Sequence, residues 1–367
     1  MKTAITYDWF TGQDYKERIL EVFARQFFSS DLFLLAYEDD AYLSSLGFNR
    51  IYNGKLKTRE IWKNIEKFPK VLSKMNLRGY SVVTSLSCGP MHWIKKNKYS
   101  DNDLVYQIGY CFGPYPYLWD DGDADTLRSF WNRFSSNDRL EFRKLDQEYF
   151  AGIDLLLVPD NHAAEKMKEV HNRTPVILHP PVSEHIFHPR SGDKDYFIIN
   201  SDIEHFRGLK PVIETFNYLN DKLIILGEGT RHDEFRELAR PNISFLGYCD
   251  ESERAFYLRN AIAAIVPDIR HYNHFAKEAL SMGVPVLAHR HSSAAELIHS
   301  EENGVLFAEH TPDSILGAVL YALENQFDRK KIIKSAEKFN RLAFEEAFKK
   351  LIVKHLPPVL QSITKKK

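Results

Sequence analysis

Short apolar runs bounded by turn residues alternate with longer amphipathic stretches along the whole chain, and this alternation constrains the fold more than any other feature. Runs of that length fit strands buried on both faces, which is how a parallel sheet covered by helices reads in sequence. In the first half the expected strands are residues 3–7, 32–36, 81–85, 104–110, 154–158 and 176–178. Between them, residues 14–27 place Ile19, Leu20, Val22, Phe23 and Phe27 on one broad face. Residues 59–74 do the same with Ile61, Ile65, Phe68 and Leu72, and Pro69 is expected to kink or split that helix.

The cadence then stops and restarts. His179-Pro180-Pro181-Val182 removes two backbone donors and disfavours helix before each proline, so a linker runs from there to about Gly192. A second set of strands follows at 196–200, 223–226, 243–245, 263–266, 286–288 and 305–307. A length of 367 residues is more than one core usually serves, which agrees with two α/β domains. The last helical segment, 328–353, exceeds what the second domain needs and is free to return to the first.

Composition narrows the function classes. A net charge of -1 gives no nucleic-acid footprint. Cys88, Cys111 and Cys249 form no CxxC pair, which argues against a disulfide framework or zinc site and fits a cytoplasmic protein. The N-terminus turns polar too early for a signal peptide, and nowhere do about 18 uninterrupted apolar residues occur. Peripheral membrane contact stays open, with Lys365-Lys366-Lys367 either a solvated end or an anionic-lipid contact.

Chemistry concentrates in residues 278–288, which run Glu-Ala-Leu-Ser-Met-Gly-Val-Pro-Val-Leu-Ala. A helix opening near Phe275 is expected to carry Glu278 in its first turn, end at Gly283 and pass through Pro285 into a strand. Its start offers amides near Phe275 and Ala276 for phosphate oxygens, while Glu278 accepts two ribose hydroxyls. Read alone, Glu278 is an acid that merely favours a helix N-terminus.

With Ala295-Glu296-Leu297-Ile298 and Asn303-Gly304-Val305 downstream, this stretch resembles the retaining GT-B glycosyltransferases of family 4. Asp8-Trp9-Phe10, Gly79-Tyr80-Ser81, Tyr110-Cys111 with Pro114, Tyr117, Trp119 and Asp120, and His179-Pro180-Pro181-Val182 match the order and spacing of its mannosyltransferase-like branch. Ile213-Glu214-Thr215-Phe216-Asn217, Leu226-Gly227-Glu228-Gly229 and Asn242 to Gly247 continue the match, so nearly the whole chain is covered.

The resemblance implies an α/β fold of GT-B architecture, two Rossmann-like domains with parallel sheets facing across a cleft. Residues 1–185 are then the acceptor domain, 192–345 the nucleotide-sugar donor domain, and 346–367 a C-terminal helix and tail. Implied donor-binding residues are Ser201, Arg207, Lys210, Gly227, Arg270, His271, His274, Phe275, Ala276 and Glu278, with Arg207 and Glu278 carrying the catalysis. Gly12, Phe112, Tyr117 and Asp120 fall on the acceptor and sugar side. No metal and no cofactor are expected beyond the nucleotide diphosphate sugar itself.

Several positions depart from the family pattern. The usual basic pair after the first strand of the donor domain reads Asp202 and Arg207, and Lys210 is either a stand-in or a solvated lysine. The carboxylate expected eight residues before Glu278 is Arg270, and His271-Tyr272-Asn273-His274 replaces an acidic Phe-Gly segment. The first-domain Gly-Gly loop survives as Gly12 alone, and the histidine expected after Tyr110-Cys111 is Phe112. Asp120-Asp121-Gly122-Asp123-Ala124-Asp125 lacks EF-hand spacing and reads as a surface turn with Asp125 capping a helix. His289-Arg290-His291 follows a strand end, and fits a ligand-facing loop and an exposed loop equally well.

The resulting expectation is a cytoplasmic, metal-independent retaining transferase. It moves a hexose, or a deoxyhexose packed on Phe112, to a hydroxyl of a glycan or lipid-linked glycan. The rival is a non-catalytic GT-B protein that binds a nucleotide or acts as a scaffold.

Overall fold

The computed structural model describes residues 1–10, 15–37, 40–57, 61–87, 89–94, 105–119, 136–183, 195–200, 208–229, 232–269 and 273–364. The chain divides into two compact units, Met1–Pro180 with Phe344–Lys367, and Pro181–Ala343.

The first unit is built on β1 (Lys2–Phe10), β2 (Asp31–Tyr37), β3 (Arg50–Asn53), β4 (Tyr80–Ser87), β5 (Tyr106–Cys111), β6 (Leu155–Val158) and β7 (Val176–Ile177), in the order β3-β2-β1-β4-β5-β6-β7. Every pairing is parallel. Its helices are α1 (Tyr15–Gln26), α2 (Asp40–Ser45), α3 (Phe68–Leu72), α4 (Pro116–Trp119), α5 (Ser136–Ala151) and α6 (Asn161–His171). The second unit carries β8 (Tyr196–Asn200), β9 (Lys222–Leu226), β10 (Ile243–Gly247), β11 (Ala261–Val266), β12 (Val286–His289) and β13 (Gly304–Phe307), in the order β10-β9-β8-β11-β12-β13. These pairings are also all parallel. Its helices are α7 (Leu209–Tyr218), α8 (His232–Leu238), α9 (Glu251–Arg259), α10 (His274–Ser281), α11 (Pro312–Glu324) and α12 (Arg329–Ala336), and α13 (Arg341–His355) follows.

Both sheets reverse winding beside their first strand, at β1/β4 and β8/β11. Open α/β sheets bind ligands beyond the carboxyl ends of their strands at such points. The strands supply the buried floor: β2 is buried from Asp31 to Ala36 and β11 from Ala263 to Val266.

Three local expectations are corrected. β3 was not anticipated, because its residues Arg-Ile-Tyr-Asn form an edge strand without a fully buried position and so show no apolar run. The described part of the expected 59–74 helix is a 3-10 segment, Ile61–Lys67, followed by the short α3 with Pro69 in its opening turn, where a missing N–H costs nothing. The expected 328–353 helix is broken into α12, a 3-10 turn at Glu337–Phe339, and α13, with Asn340 Oδ1 accepting from Ala343 N at 2.8 Å.

That break has a physical cause, since the two pieces serve different cores. Ile332, Ala336 and Phe339 pack in the second unit, whereas Phe344, Phe348 and Ile352 pack with Phe23, Phe27 and Tyr110 in the first. Phe348 stacks on Phe23 at 4.7 Å between ring centroids, and burying such a ring contributes about 1.5–3 kcal/mol. Asp8, at the carboxyl end of β1, ties the exit of β4 by accepting from Ser87 Oγ at 2.5 Å and Met91 N at 3.0 Å.

Candidate functional site

The site assembles at the carboxyl edge of the second sheet, where the loops after β9, β10, β11 and β12 meet α10. All eight residues of α10 are buried. Asn273 caps it in an extended conformation, its side chain accepting from Ala276 N at 3.1 Å while its own N–H donates to Ser293 Oγ at 3.0 Å. The helix closes on a Schellman turn: Val284 N donates to Ala279 O at 2.9 Å and Gly283 N to Leu280 O at 3.0 Å, with Gly283 at φ 76. That turn delivers Pro285 and β12 without a gap.

Two details of the expected geometry change. The helix opens at His274, so Glu278 lies in its second turn and not at its mouth. The Ala276 amide is not available to a phosphate as expected, because the Asn273 cap already uses it. Asn273→Ala is expected to cost about 1 kcal/mol of second-unit stability, whereas Asn273→Asp, which keeps the acceptor, should cost far less. Urea unfolding followed by far-UV circular dichroism measures both.

Glu278 itself is 1% exposed and held by Arg254 of α9 through two parallel bonds, Nε to Oε2 at 2.7 Å and Nη2 to Oε1 at 2.8 Å. His274 Nε2, one turn before Glu278 on α10, lies 3.8 Å from Oε1. Arg254 Nη1 also donates to Cys249 O at 3.4 Å. Helix α9 is fixed by a capping box in which Asp250 and Glu253 bond each other's backbone N–H. Gly227, at φ 118, donates its N–H to Gly247 O at 2.7 Å, and Glu228 Oε1 accepts from Tyr248 N at 3.3 Å, so the β9 and β10 exits are joined.

Beyond β12 and β13, His289 stacks on His310 at 4.3 Å and His310 Nε2 bonds Pro267 O at 2.6 Å. Burial first, then His310, His291 and Arg290, push the His289 pKa down to about 4. Its Nδ1 accepts from His291 N at 3.1 Å, which leaves the proton on Nε2. His289 is therefore a buried neutral bracket, while Arg290 and His291 are exposed. Among the described residues no group of three or more His, Cys, Asp or Glu side chains is arranged to hold a metal ion.

The remaining sequence candidates scatter. Phe275, the second residue of α10, is buried in the core of the second unit. Lys210 sits exposed in the first turn of α7, 3.8 Å from Glu214. Phe112 follows β5 and packs edge-on against Tyr15 at 5.6 Å and beside Tyr110 at 5.4 Å, with Lys16 Nζ 5.5 Å above its ring. Tyr117 belongs to α4. Gly12, Asp120, Ser201, Arg207, Arg270 and His271 lie outside the described residues, as do Asp202 and the 120–125 acidic cluster. Arg254 and Ser293 were not among the sequence candidates, and Asn273 entered only within the His271 to His274 segment, not as a helix cap. Only Asn273 carried a local signal, an N-cap residue type directly before the helix.

Among the described residues no helix is long and apolar enough to cross a membrane. Solved structures share the two-domain GT-B fold over nearly the whole chain. Anabaena Alr3699/HepE in complex with UDP superposes with a TM-score of 0.70 at 11% identity, covering 96% of this chain and 100% of that one. Sucrose-phosphate synthase from Thermosynechococcus elongatus gives 0.68 at 12%, covering 96% and 99%. In sequence, an uncharacterized glycosyltransferase of Methanocaldococcus jannaschii, MJ1607, is 29% identical over 127 residues, 32% of each chain, so the match spans about a third of that relative. The model of the family "glycosyl transferases group 1" matches residues 152–339, just over half of the chain and all of the site around Glu278. The chain therefore belongs to the glycosyl transferases group 1 family.

Proposed function

We propose that the protein transfers a sugar from a nucleoside diphosphate sugar to a hydroxyl acceptor, with the nucleotide ribose held by Glu278. The observation that carries this reading is the Glu278 carboxylate, buried at the carboxyl edge of the second sheet and clamped by Arg254. Each carboxylate oxygen has two lone pairs, so a bidentate guanidinium leaves one on each for a vicinal diol. The crystal structure of HepE with UDP and glucose, which shares the fold, supports the same class of ligand.

Retention at the sugar, a hexose or deoxyhexose donor, and a glycan or lipid-linked glycan acceptor at the cytoplasmic face of a membrane belong to this proposal. Catalysis rests on positioning and on stabilising the leaving diphosphate, with Arg207 the cation assigned to it. Because that charge is met by a guanidinium and backbone amides, nucleotide affinity and donor turnover are expected to survive EDTA unchanged. Loss of either that returns on adding Mg²⁺ or Mn²⁺ would sink metal independence.

One observation favours the non-catalytic reading: Phe112, where the family has a histidine, is packed between Tyr15 and Tyr110 and offers a sugar neither donor nor acceptor. Calorimetry with UDP and GDP, followed by donor turnover with UDP- and GDP-hexoses, separates the two. Binding with turnover supports the transferase, binding without turnover supports the nucleotide-binding protein, and no binding of either nucleotide leaves only the scaffold.

A further inference from the structure

We infer that Arg254 is the positioning residue that makes Glu278 selective for a ribose bearing both its 2′ and 3′ hydroxyls. This rests on the reading of Glu278 as the ribose acceptor. A free carboxylate on a helix rotates about its last torsion and presents its oxygens in many directions. Here the fork of Arg254 fixes the carboxylate plane through Nε–Oε2 at 2.7 Å and Nη2–Oε1 at 2.8 Å. The fork is itself immobilised from behind by Nη1 on Cys249 O at 3.4 Å and by the capping box that starts α9. One lone pair of each oxygen then points away from the guanidinium, and two hydroxyls on adjacent carbons match that pair.

A structural role alone accounts poorly for the arrangement. Burying two charges to pair them is at best about neutral for stability against an apolar pair of the same size. The fold nonetheless brings Arg254 and Glu278 together from separate helices, in a part of the sheet where this family of folds binds ligands. Lysine would supply the charge without the planar fork, so the two basic residues are not equivalent here.

The test compares wild type, Arg254→Lys and Arg254→Leu by calorimetry with UDP, GDP and their 2′,3′-dideoxy forms. Arg254→Lys keeps a cation beside Glu278 and guards against a variant that fails to fold. Wild type is expected to prefer the ribonucleotide by about tenfold or more. In Arg254→Lys the preference should fall several-fold, and in Arg254→Leu it should vanish, with dideoxynucleotide affinity unchanged throughout. An unchanged preference in Arg254→Lys, or a parallel loss for both nucleotide forms, would overturn the inference while leaving Glu278 as the ribose acceptor. If wild type binds nucleotide with no hydroxyl preference, or binds none, the ribose reading falls first and this inference with it.

Discussion

Glu278→Ala is expected to lower nucleotide affinity roughly 10- to 150-fold, the equivalent of about 1.5–3 kcal/mol for hydrogen bonds to a charged group. The same change should also destabilise the second unit. Arg254 is 13% exposed by its side chain and would lose the Glu278 carboxylate 2.7 Å away, and stranding one member of a buried pair costs about 3–5 kcal/mol. The two effects separate in the double variant Glu278→Ala, Arg254→Leu, which removes both charges. Its stability should recover most of the loss, measured by urea unfolding, whereas its nucleotide affinity should stay low. Unchanged calorimetric affinity in a folded Glu278→Ala protein would end the ribose assignment.

Strands of both sheets were legible because a strand buried on both faces shows itself as an apolar run, as in β2, β8, β9 and β11. The edge strand β3 was not, since exposure on both sides removes that signal and leaves only pairing with β2, which is non-local. At the site, Gly283 was readable because only a residue tolerant of positive φ closes a Schellman turn, and the proline two residues later marks the strand entry. Arg254 was not. It sits among Glu251, Glu253 and Arg259 in what reads as a charged surface helix, and nothing local distinguishes it from a solvated arginine. Only the fold brings it to a carboxylate 24 residues away. At the start of α10 the segment His271 to His274 was read for its side chains as a group, so the backbone task of Asn273, capping the helix at Ala276 N, was not foreseen.

The other large effect belongs to the first unit, where Asp146 of α5 is fully buried with its two oxygens accepting from Trp93 Nε1 and Trp119 Nε1, each at 2.6 Å. His171 of α6 places Nε2 3.4 Å from Oδ2 and stacks on Phe150 at 4.2 Å. Asp146→Ala leaves two indole donors unpaired, the Trp93 N–H buried and the Trp119 N–H half-buried, at about 1–3 kcal/mol for the buried one and less for the other, and removes packed volume, so a loss of several kcal/mol is expected. Asp146→Asn can satisfy only one indole and should cost less. Burial pushes the Asp146 pKa up to about 7, against the two indole bonds that pull it down, and burial with nearby Arg173 pushes His171 down to about 4. For Asp146 the folded pKa lies above the unfolded one, so its contribution is present at low pH and lost as pH rises toward 7. For His171 the folded pKa lies below, so its contribution is lost as pH falls toward 4. Between those limits folded and unfolded chains each hold about one proton on the pair, and the two slopes oppose each other. Above the ordinary histidine range the unfolded pair has lost its proton while the folded pair retains one, so stability should decline through pH 7. Asparagine does not titrate, and the stability advantage of wild type over Asp146→Asn should therefore narrow between pH 6 and pH 8. All five tryptophans fall within residues 1–180, so their fluorescence in urea reports this unit and not the other. A constant advantage across that window would show that the proton resides elsewhere, and an Asp146→Ala protein as stable as wild type would show that the indole bonds carry no net stability.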